Sequence, residues 1–382
     1  MRIAVARESV PGEARVALVP ELVGKLRAAG FDIYVQPGAG QLALVTEGAY
    51  AAAGATVTPD ALTAANVVVS VQPLPEAAVQ VLPAGVATIS FFPAGSRAAD
   101  LDLRRARSLT TFGMEYVPRI SRAQSMDALS SQSLVAGYRA AIVAAGRLRQ
   151  FFPLSMTAAG TVPPAQVVVL GAGVAGLQAI ATCRRLGAVV KGYDVRAAAA
   201  EEIRSLGAQA IELDLPTLEG AGGYAREMNE ERAARQRELL APHIAAADAL
   251  ITTAAVPGRR APLLVTADMV AAMKPGSVVV DLAAESGGNV EGSEPGELVQ
   301  AGGVQLWGGS NVASQMPGPA SRLYAHNIVN VVLLMTRDGQ FAPNFEDEIV
   351  AGMCLTHAGE LRGAAAQPAA QSLTPASGRG HE

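Results

Sequence analysis

Three glycines that follow a run of apolar residues are the clearest chemical feature of the sequence. Residues 167–170 predict a buried parallel strand, and the residues after the glycines predict a helix. In this G-x-G-x-x-G order the first glycine allows a tight turn, the second lets backbone approach a pyrophosphate, and the third lets helix and strand pack closely. Free N–H groups at the helix start favour phosphate. The sequence therefore predicts dinucleotide contacts from Gly171, Gly173, Ala175 and Gly176.

An acidic residue, Asp194, ends the next predicted strand, residues 189–193, about 20 residues beyond the glycines. Its carboxylate is suited to accept hydrogen bonds from an adenosine ribose and would repel a 2′-phosphate. The sequence therefore favours NAD(H) over NADP(H). Arg196 opposes this preference, because an arginine there can hold a 2′-phosphate.

Two further loops are candidates for ligand contact. Residues 219–225 are a glycine cluster around Tyr224, which is either a flexible connector or a lid that closes over a nucleotide. Position alone does not decide between them. Ala255 follows a predicted strand, residues 249–253, and we expect it at the carboxyl edge of the sheet, where ligands bind.

A polar segment, residues 118–132, has two interpretations. In the structural one, Ser121 and Gln124 form a capping box that opens a helix, and Asp127 adds a favourable negative charge in its first turn. In the functional one, the arginine and amide side chains of the segment bind the polar end of a ligand. The residue types alone favour the capping box.

Strand and helix signals alternate along most of the chain, which predicts parallel sheets with crossover helices. We expect an α/β fold of two Rossmann-like, doubly wound domains connected by long helices at residues 130–151 and 321–336. The N-terminal domain is predicted to be discontinuous, residues 1–130 plus 321–362. Residues 131–320 form the predicted NAD(H)-binding domain, and residues 363–382 are predicted to be a disordered tail.

Composition excludes several classes of protein. A net charge of −4 and a pI near 5.7 give no electrostatic basis for binding nucleic acid. Cys183 and Cys354 lack metal-ligand and redox spacing, so we expect no metal and a reducing compartment. No signal peptide is evident, and no apolar run reaches the ~18 residues that span a bilayer. We expect a soluble protein that meets a membrane only through partners.

Longer segments of the chain resemble one enzyme family. They are MRIAVARESVPGEARVALVPE at the start, AAGTVPPAQVVVLGAGVAGLQAIATCRRLGA around the glycines, and MKPGSVVVDLAAESGGN from Met273. The segment RISRAQSMD, residues 119–127, is highly specific to that family. Over residues 1–360 or so, the chain is similar to the NAD(H)-binding components of proton-translocating NAD(P) transhydrogenases, in the alanine dehydrogenase/transhydrogenase superfamily.

The resemblance implies that the polar segment holds the nicotinamide end of NADH, through Arg119, Gln124, Asp127 and Ser130. Further implied cofactor contacts are Ile120, Ser121, Val174, Asp194, Val195, Arg196 and Gly223, with Tyr224 on a mobile loop. Hydride transfer between two nicotinamides needs no proton acceptor, so the protein supplies orientation rather than acid–base chemistry. The family implies a cytoplasmic homodimer, peripheral on the inner face of the membrane. Hydride passes to NADP(H) on a separate subunit, beside membrane-spanning subunits.

Two alternatives stay open. Alanine dehydrogenases share this architecture but need a Lys and a His for the substrate and a catalytic Asp, where the matching residues here are Gln72, Phe92 and Glu285. Arg15 matches both families and discriminates little. The other alternative is a catalytically silent NAD-binding protein, against which residues 119–127 argue, because a sensor need not position the reactive ring.

Overall fold

The structure, a computed structural model, describes residues 1–93, 98–215, 230–255 and 259–366. Two large sheets dominate it, one of eight strands and one of seven, and both are mostly parallel. This architecture confirms the predicted α/β class with two Rossmann-like, doubly wound sheets.

The strands are β1 (Arg2–Val5), β2 (Asp32–Val35), β3 (Thr56–Val57), β4 (Val67–Val69), β5 (Ala87–Ser90), β6 (Thr110–Gly113), β7 (Ser155–Thr157), β8 (Gly160–Val162), β9 (Gln166–Leu170), β10 (Val189–Tyr193), β11 (Gln209–Ala210), β12 (Ala249–Thr252), β13 (Val278–Asp281), β14 (Leu298–Ala301), β15 (Val304–Gly308), β16 (Thr336–Arg337), β17 (Gln340–Phe341), β18 (Cys354–His357) and β19 (Glu360–Leu361).

The α-helices are α1 (Pro20–Ala28), α2 (Glu47–Ala52), α3 (Glu76–Val81), α4 (Ala98–Ala106), α5 (Ala128–Arg147), α6 (Val174–Arg185), α7 (Ala199–Ser205), α8 (Glu230–Ala245), α9 (Ala267–Ala271), α10 (Pro317–Leu334), α11 (Glu348–Met353) and α12 (Gly363–Ala366).

The first sheet has the order β19-β18-β6-β5-β4-β1-β2-β3. Strands β1 to β6 are parallel, and β18 and β19 add antiparallel neighbours at the β6 edge. The parallel part follows the order 3-2-1-4-5-6 of a doubly wound nucleotide-binding sheet. Its central strand β4 consists of three fully buried valines, as expected of a strand covered on both faces.

The second sheet repeats this plan, with the order β11-β10-β9-β12-β13-β15-β14. All neighbours are parallel except the β14–β15 pair. The strand order reverses between the neighbouring strands β9 and β12. Strands β10 and β11 lie on the far side of β9, and β13, β15 and β14 lie on the far side of β12. Ligands of doubly wound sheets bind outside the carboxyl ends of strands at such a reversal.

The two long helices predicted from the sequence are present, but they begin and end at different residues. Helix α5 covers 128–147 rather than 130–151, because Leu148 already has extended backbone with ψ of 132°. Helix α10 begins at Pro317, earlier than residue 321, since proline is well tolerated in the first helical turn. Helix α5 packs on α6 at Gly137, where any Cβ would overlap the carbonyl oxygen of Ala175.

The first four residues of the segment predicted to be disordered are described by the structure. Residues 363–366 form helix α12, which packs against the end of the first sheet; the remaining tail lies outside the described residues. Within the described part of the chain, no helix is long and apolar enough to cross a bilayer. Both cysteines are buried, and neither forms a disulfide.

Candidate functional site

The glycine turn lies between β9 and α6, and each glycine has a separate structural requirement. Gly171 has a φ of +95°, and a Cβ there would lie 2.7 Å from Thr253 Oγ1. A Cβ on Gly176 would overlap the carbonyl oxygen of Gly171, so only glycine lets the helix start so close to the strand. Gly173 differs, because a Cβ there would meet nothing within 4 Å.

Gly173 is exposed at the N-cap of α6, and no side chain caps the helix. Val174 is 41% exposed, and Ala175 is partly buried against α5. The first N–H groups of α6 therefore face open space beside a small residue, and the helix dipole adds positive potential there. This arrangement fits the pyrophosphate of a dinucleotide.

Asp194 follows β10 and reaches back to the glycine turn. Its Oδ2 accepts a hydrogen bond of 2.8 Å from the N–H of Ala172. Its Oδ1 accepts from the N–H and Nε of Arg196, both at 2.9 Å, and Arg196 Nη2 donates to Oδ2 and to the Ala172 carbonyl at 3.1 Å. The acid, the arginine and the turn are thus brought together, with Val195 partly buried between them.

The polar segment does not form the predicted capping box. Residues 121–126 form a 3₁₀ helix, and its N-cap residue, Ile120, makes no side-chain cap. Ser121 lies inside the 3₁₀ helix, where its hydroxyl cannot act as an N-cap. Gln124 and Arg119 are exposed, and the Arg122 guanidinium holds the turn to Asp347 Oδ1 and Oδ2 at 2.8 Å each.

Asp127 is the actual N-cap of α5, not a first-turn charge as predicted. Its Oδ1 accepts from the N–H of Ser130 at 2.9 Å, and its Oδ2 accepts from the Ser130 hydroxyl at 2.6 Å. A carboxylate in this position satisfies an orphan N–H and faces the positive end of the helix dipole. The pair therefore fixes the direction in which the 3₁₀ turn leaves α5.

Helix α5 joins the polar turn to the glycine turn. Asp127 caps its start, and Gly137, ten residues later, contacts Ala175 of the glycine turn. Ten residues of helix rise by about 15 Å, a span comparable with an extended dinucleotide. The structure thus places both predicted groups along one rigid element.

Two predicted contacts, Gly223 and Tyr224, lie outside the described residues, so the choice between connector and lid stays open. Ala255 is described and is exposed at the carboxyl edge of β12. The loop before it is held by Asn289, whose amide accepts from the N–H of Ala254 at 2.9 Å and donates to its carbonyl at 2.8 Å.

The positions that would distinguish an alanine dehydrogenase are occupied differently. Gln72 Nε2 donates to Glu13 Oε2 at 2.8 Å. Phe92 is buried, and the Arg104 guanidinium carbon lies 4.9 Å from its ring centroid. Glu285 accepts from the Ser310 hydroxyl at 2.9 Å and the Asn311 N–H at 3.0 Å. The lysine and histidine that an alanine dehydrogenase needs for its substrate are therefore absent from these three positions.

Two partly buried carboxylates, of Glu8 and Glu115, accept hydrogen bonds from backbone N–H groups just beyond strands of the first sheet. Glu8 accepts from the N–H groups of Val71 and Gln72, yet burial raises the pKa of Glu8 to about 7. Burial likewise raises the pKa of Glu115 to about 7, although its carboxylate accepts from the Phe92 N–H. These glutamates accept hydrogen bonds from the backbone N–H groups at the carboxyl edge of the first sheet. The corresponding edge of the second sheet carries the open glycine turn.

Sequence reasoning missed the polar contacts of Arg15 with Glu13, Gln132 and Asn311. In the sequence, Arg15 stands out only as a residue common to two families. Its partners Gln132 and Asn311 lie 117 and 296 residues away, so no local pattern connects them. The described residues contain no cluster of His, Cys, Asp or Glu that could hold a metal ion.

Comparison with known proteins gives consistent results. Residues 4–136 match the family model Alanine dehydrogenase/PNT, N-terminal domain, and residues 140–364 match Alanine dehydrogenase/PNT, C-terminal domain. A chain of Rhodospirillum rubrum named as the first portion of NAD(P) transhydrogenase subunit alpha is 46% identical over 374 residues, covering 94% of this chain and 97% of the relative.

Two solved structures resemble the whole fold. The transhydrogenase from Sinorhizobium meliloti has a TM-score of 0.85 and 43% identity, covering 96% of this chain and 100% of that one. An L-alanine dehydrogenase has a TM-score of 0.81 with 26% identity, covering 96% and 98%. Sequence identity therefore favours the transhydrogenases over the alanine dehydrogenases.

Proposed function

The chain belongs to the alanine dehydrogenase/PNT family, and we propose that it is the NAD(H)-binding subunit of a proton-translocating NAD(P) transhydrogenase. The observation that carries the proposal is that helix α5 connects an exposed polar turn at Gln124, which precedes its N-cap, with an open glycine turn at Gly173, which packs on the helix through Ala175 and Gly137. A dinucleotide that lies along this helix is held at both ends.

Each group of residues has a role in binding. Residues 171–176 hold the pyrophosphate, residues 194–196 and Ala255 contact the adenosine side, and Gly223 and Tyr224 complete the site. Arg119 and Gln124, with Ile120 and Ser121, fix the carboxamide of the nicotinamide, while Asp127 and Ser130 hold their turn. Bound NADH supplies the hydride, and the protein supplies position.

The second nicotinamide belongs to another subunit. NADP(H) is held by an NADP-binding partner, and membrane-spanning subunits couple the transfer to proton movement. This subunit is then cytoplasmic and peripheral on the inner face of the membrane. Because both rings exchange a hydride directly, the chain needs no proton donor of its own at the ring.

We further propose a homodimer. The β7–β8 hairpin pairs with neither large sheet and presents Met156, which is 73% exposed, beside the exposed Leu154 and Val162. Apolar side chains grouped on one surface hairpin favour a protein partner. A charged substitution, Met156→Glu, is expected to shift the molar mass measured by light scattering from two copies to one.

We also propose that the domain division follows the two sheets, with residues 1–130 plus 321–362 around the first and residues 131–320 around the second. The return of β18 and β19 to the first sheet supports a discontinuous N-terminal domain.

The test of the function is transfer between purified subunits. The chain is mixed with its NADP-binding partner, and hydride transfer from NADH to an NADP⁺ analogue is followed optically. In Gln124→Asn we expect the transfer rate to fall well over tenfold with NADH affinity nearly kept, since ring-end contacts act mainly in the transition state.

Gln41→Asn is the matched control, because Gln41 is another exposed glutamine on a 3₁₀ turn. It should transfer hydride at the wild-type rate. Absence of transfer by the wild-type pair contradicts the proposed function. Loss of NADH binding by Gln124→Asn, with normal turnover at saturation, makes Gln124 a binding residue instead.

A further inference from the structure

A buried ion pair lies in the loop between β1 and α1. The side chains of Glu13 and Arg15 are 0% and 5% exposed. Arg15 Nε and Nη2 donate to the two carboxylate oxygens of Glu13 at 2.8 and 2.6 Å. Burial alone would raise the pKa of Glu13, but the hydrogen bonds and charge of Arg15 lower it to about 2. The pair therefore stays charged, and such a pair is held rigidly by its geometry.

The same pair binds a loop that follows β15 of the second sheet. Arg15 Nη2 donates to Asn311 Oδ1, and Asn311 Nδ2 donates to Glu13 Oε2, both at 3.1 Å. The Ser314 hydroxyl donates to Glu13 Oε1 at 3.0 Å and accepts from the Ala14 N–H at 2.6 Å. Asn311 has a φ of +39°, a left-handed conformation that an asparagine tolerates. The two sheets are thus joined by directional contacts that are buried at Ser314 and partly buried at Asn311.

From Arg15 the contacts continue to the polar turn. Arg15 Nη1 donates to Gln132 Oε1 at 2.9 Å, and Gln132 Nε2 donates to the Ser131 hydroxyl at 3.2 Å. That hydroxyl donates to Asn327 Oδ1 at 2.7 Å, and Asn327 Nδ2 donates to the Ser125 carbonyl at 2.9 Å. The chain of hydrogen bonds ends on the neighbour of Gln124.

We propose that Glu13, Arg15 and Asn311 are positioning residues, which hold the 3₁₀ turn of residues 121–126 at a fixed place relative to the second sheet. The inference rests on the proposed function, since the turn is the proposed nicotinamide contact. A displacement of about 1 Å at such a contact can lower a rate about 100-fold without removing any group that touches the ring. The three residues act through the turn and not on the ring.

Asn311→Gly tests this with little risk to folding. Glycine adopts the left-handed backbone freely and keeps the backbone N–H bond to Glu285. It loses the side-chain hydrogen bonds of Asn311 with Arg15, Glu13 and the Gly12 carbonyl. Asp338→Gly is the matched control, because Asp338 also has a positive φ, of +49°, but is exposed in the β16–β17 hairpin. Arg15→Met is a second variant that removes the ion pair itself.

Hydrogen exchange measures the positioning without reference to catalysis. In Asn311→Gly we expect backbone amides of residues 121–127 to exchange at least tenfold faster than in the wild type, and in Asp338→Gly to exchange at the wild-type rate. Arg15→Met should show the same acceleration with a lower melting temperature. Unchanged exchange in Asn311→Gly overturns the inference.

Transfer kinetics test the role. With the NADP-binding partner, kcat of Asn311→Gly should fall more than tenfold while NADH Kd stays within threefold. A merely structural role would lower the melting temperature and leave kcat at saturating NADH unchanged, which also overturns the inference. If the wild-type pair transfers no hydride, the proposed function fails, whereas the exchange comparison still decides whether Asn311 positions the turn.

Discussion

At the scale of single residues, the carboxylate of Asp194 already accepts more hydrogen bonds than the sequence alone suggests for a group that binds a ribose. Its carboxylate already accepts four hydrogen bonds, one from Ala172 and three from Arg196. A carboxylate offers about four lone-pair sites, so a ribose hydroxyl must replace one guanidinium donor. Arg196 is in turn committed to Asp194 and to the Ala172 carbonyl, which keeps it from a 2′-phosphate. In the proposed site, both residues of the pair therefore influence the choice of cofactor.

We predict that Asp194→Asn weakens NADH binding about tenfold or more, because a buried hydroxyl pair that loses its charged acceptor costs ~1–3 kcal/mol. The same change releases Arg196, so NADPH affinity should rise. Calorimetric titration with each cofactor measures both effects. Asp338→Asn, at an exposed site, should leave both affinities unchanged. Wild-type NADH affinity in Asp194→Asn would remove Asp194 from the ribose site.

At the scale of elements, two substitutions at the N-cap of α5 distinguish the hydrogen bond that Asp127 accepts from the charge that it carries. Asp127→Ala should lower the free energy of unfolding by about 1 kcal/mol, since the Ser130 N–H loses its acceptor. Asp127→Asn should keep that stability, because asparagine caps as well as aspartate. Chemical denaturation of both variants measures the difference, with Asp268→Asn, the same change at an exposed position in the first turn of α9, as a control. Equal losses in Asp127→Ala and Asp127→Asn would show that the charge, not the cap, stabilises α5.

Elements with strong local signals were predictable from the sequence. The β9–glycine–α6 unit and the acid after β10 follow from β-branched runs, glycine and one carboxylate, all within 30 residues or so. The start of α5 could not be predicted from the sequence. Ser121 and Gln124 satisfy the capping-box pattern, but the chain first forms a 3₁₀ helix. The pattern cannot show that Asp127, six residues on, caps better. The contacts of Arg15 with Gln132 and Asn311 could not be predicted, since they join segments 117 and 296 residues apart.

At the scale of the whole molecule, two partly buried glutamates predict an unusual pH dependence. Burial raises the pKa of both Glu8 and Glu115 from 4.5 to about 7 in the folded protein. The folded state then binds protons more tightly, so their stabilisation is complete below pH 4.5 and is lost as pH rises through 7. Glu13 acts in the opposite sense, and its contribution is lost only as pH falls from 4.5 through 2.

We therefore expect the free energy of unfolding to decrease between pH 5 and 8. Glu115→Gln should remove up to about 3 kcal/mol of this decrease, because each unit of pKa shift contributes about 1.4 kcal/mol. Urea denaturation at each pH measures it, and Glu346→Gln, at an exposed position, should follow the wild-type curve. A wild-type stability that rises across this range would contradict the assignment.

The molecule as a whole should not act on a free amino acid. Gln72 is bonded to Glu13, and Phe92 is buried beneath Arg104, so neither charged anchor nor proton donor remains at these positions for a keto acid. We expect pyruvate and ammonia to cause no NADH oxidation above background at any pH from mildly acidic to alkaline, while an alanine dehydrogenase assayed alongside oxidises NADH. Steady oxidation by this chain would show that another residue serves as the acid, and the family's other activity would then describe it better.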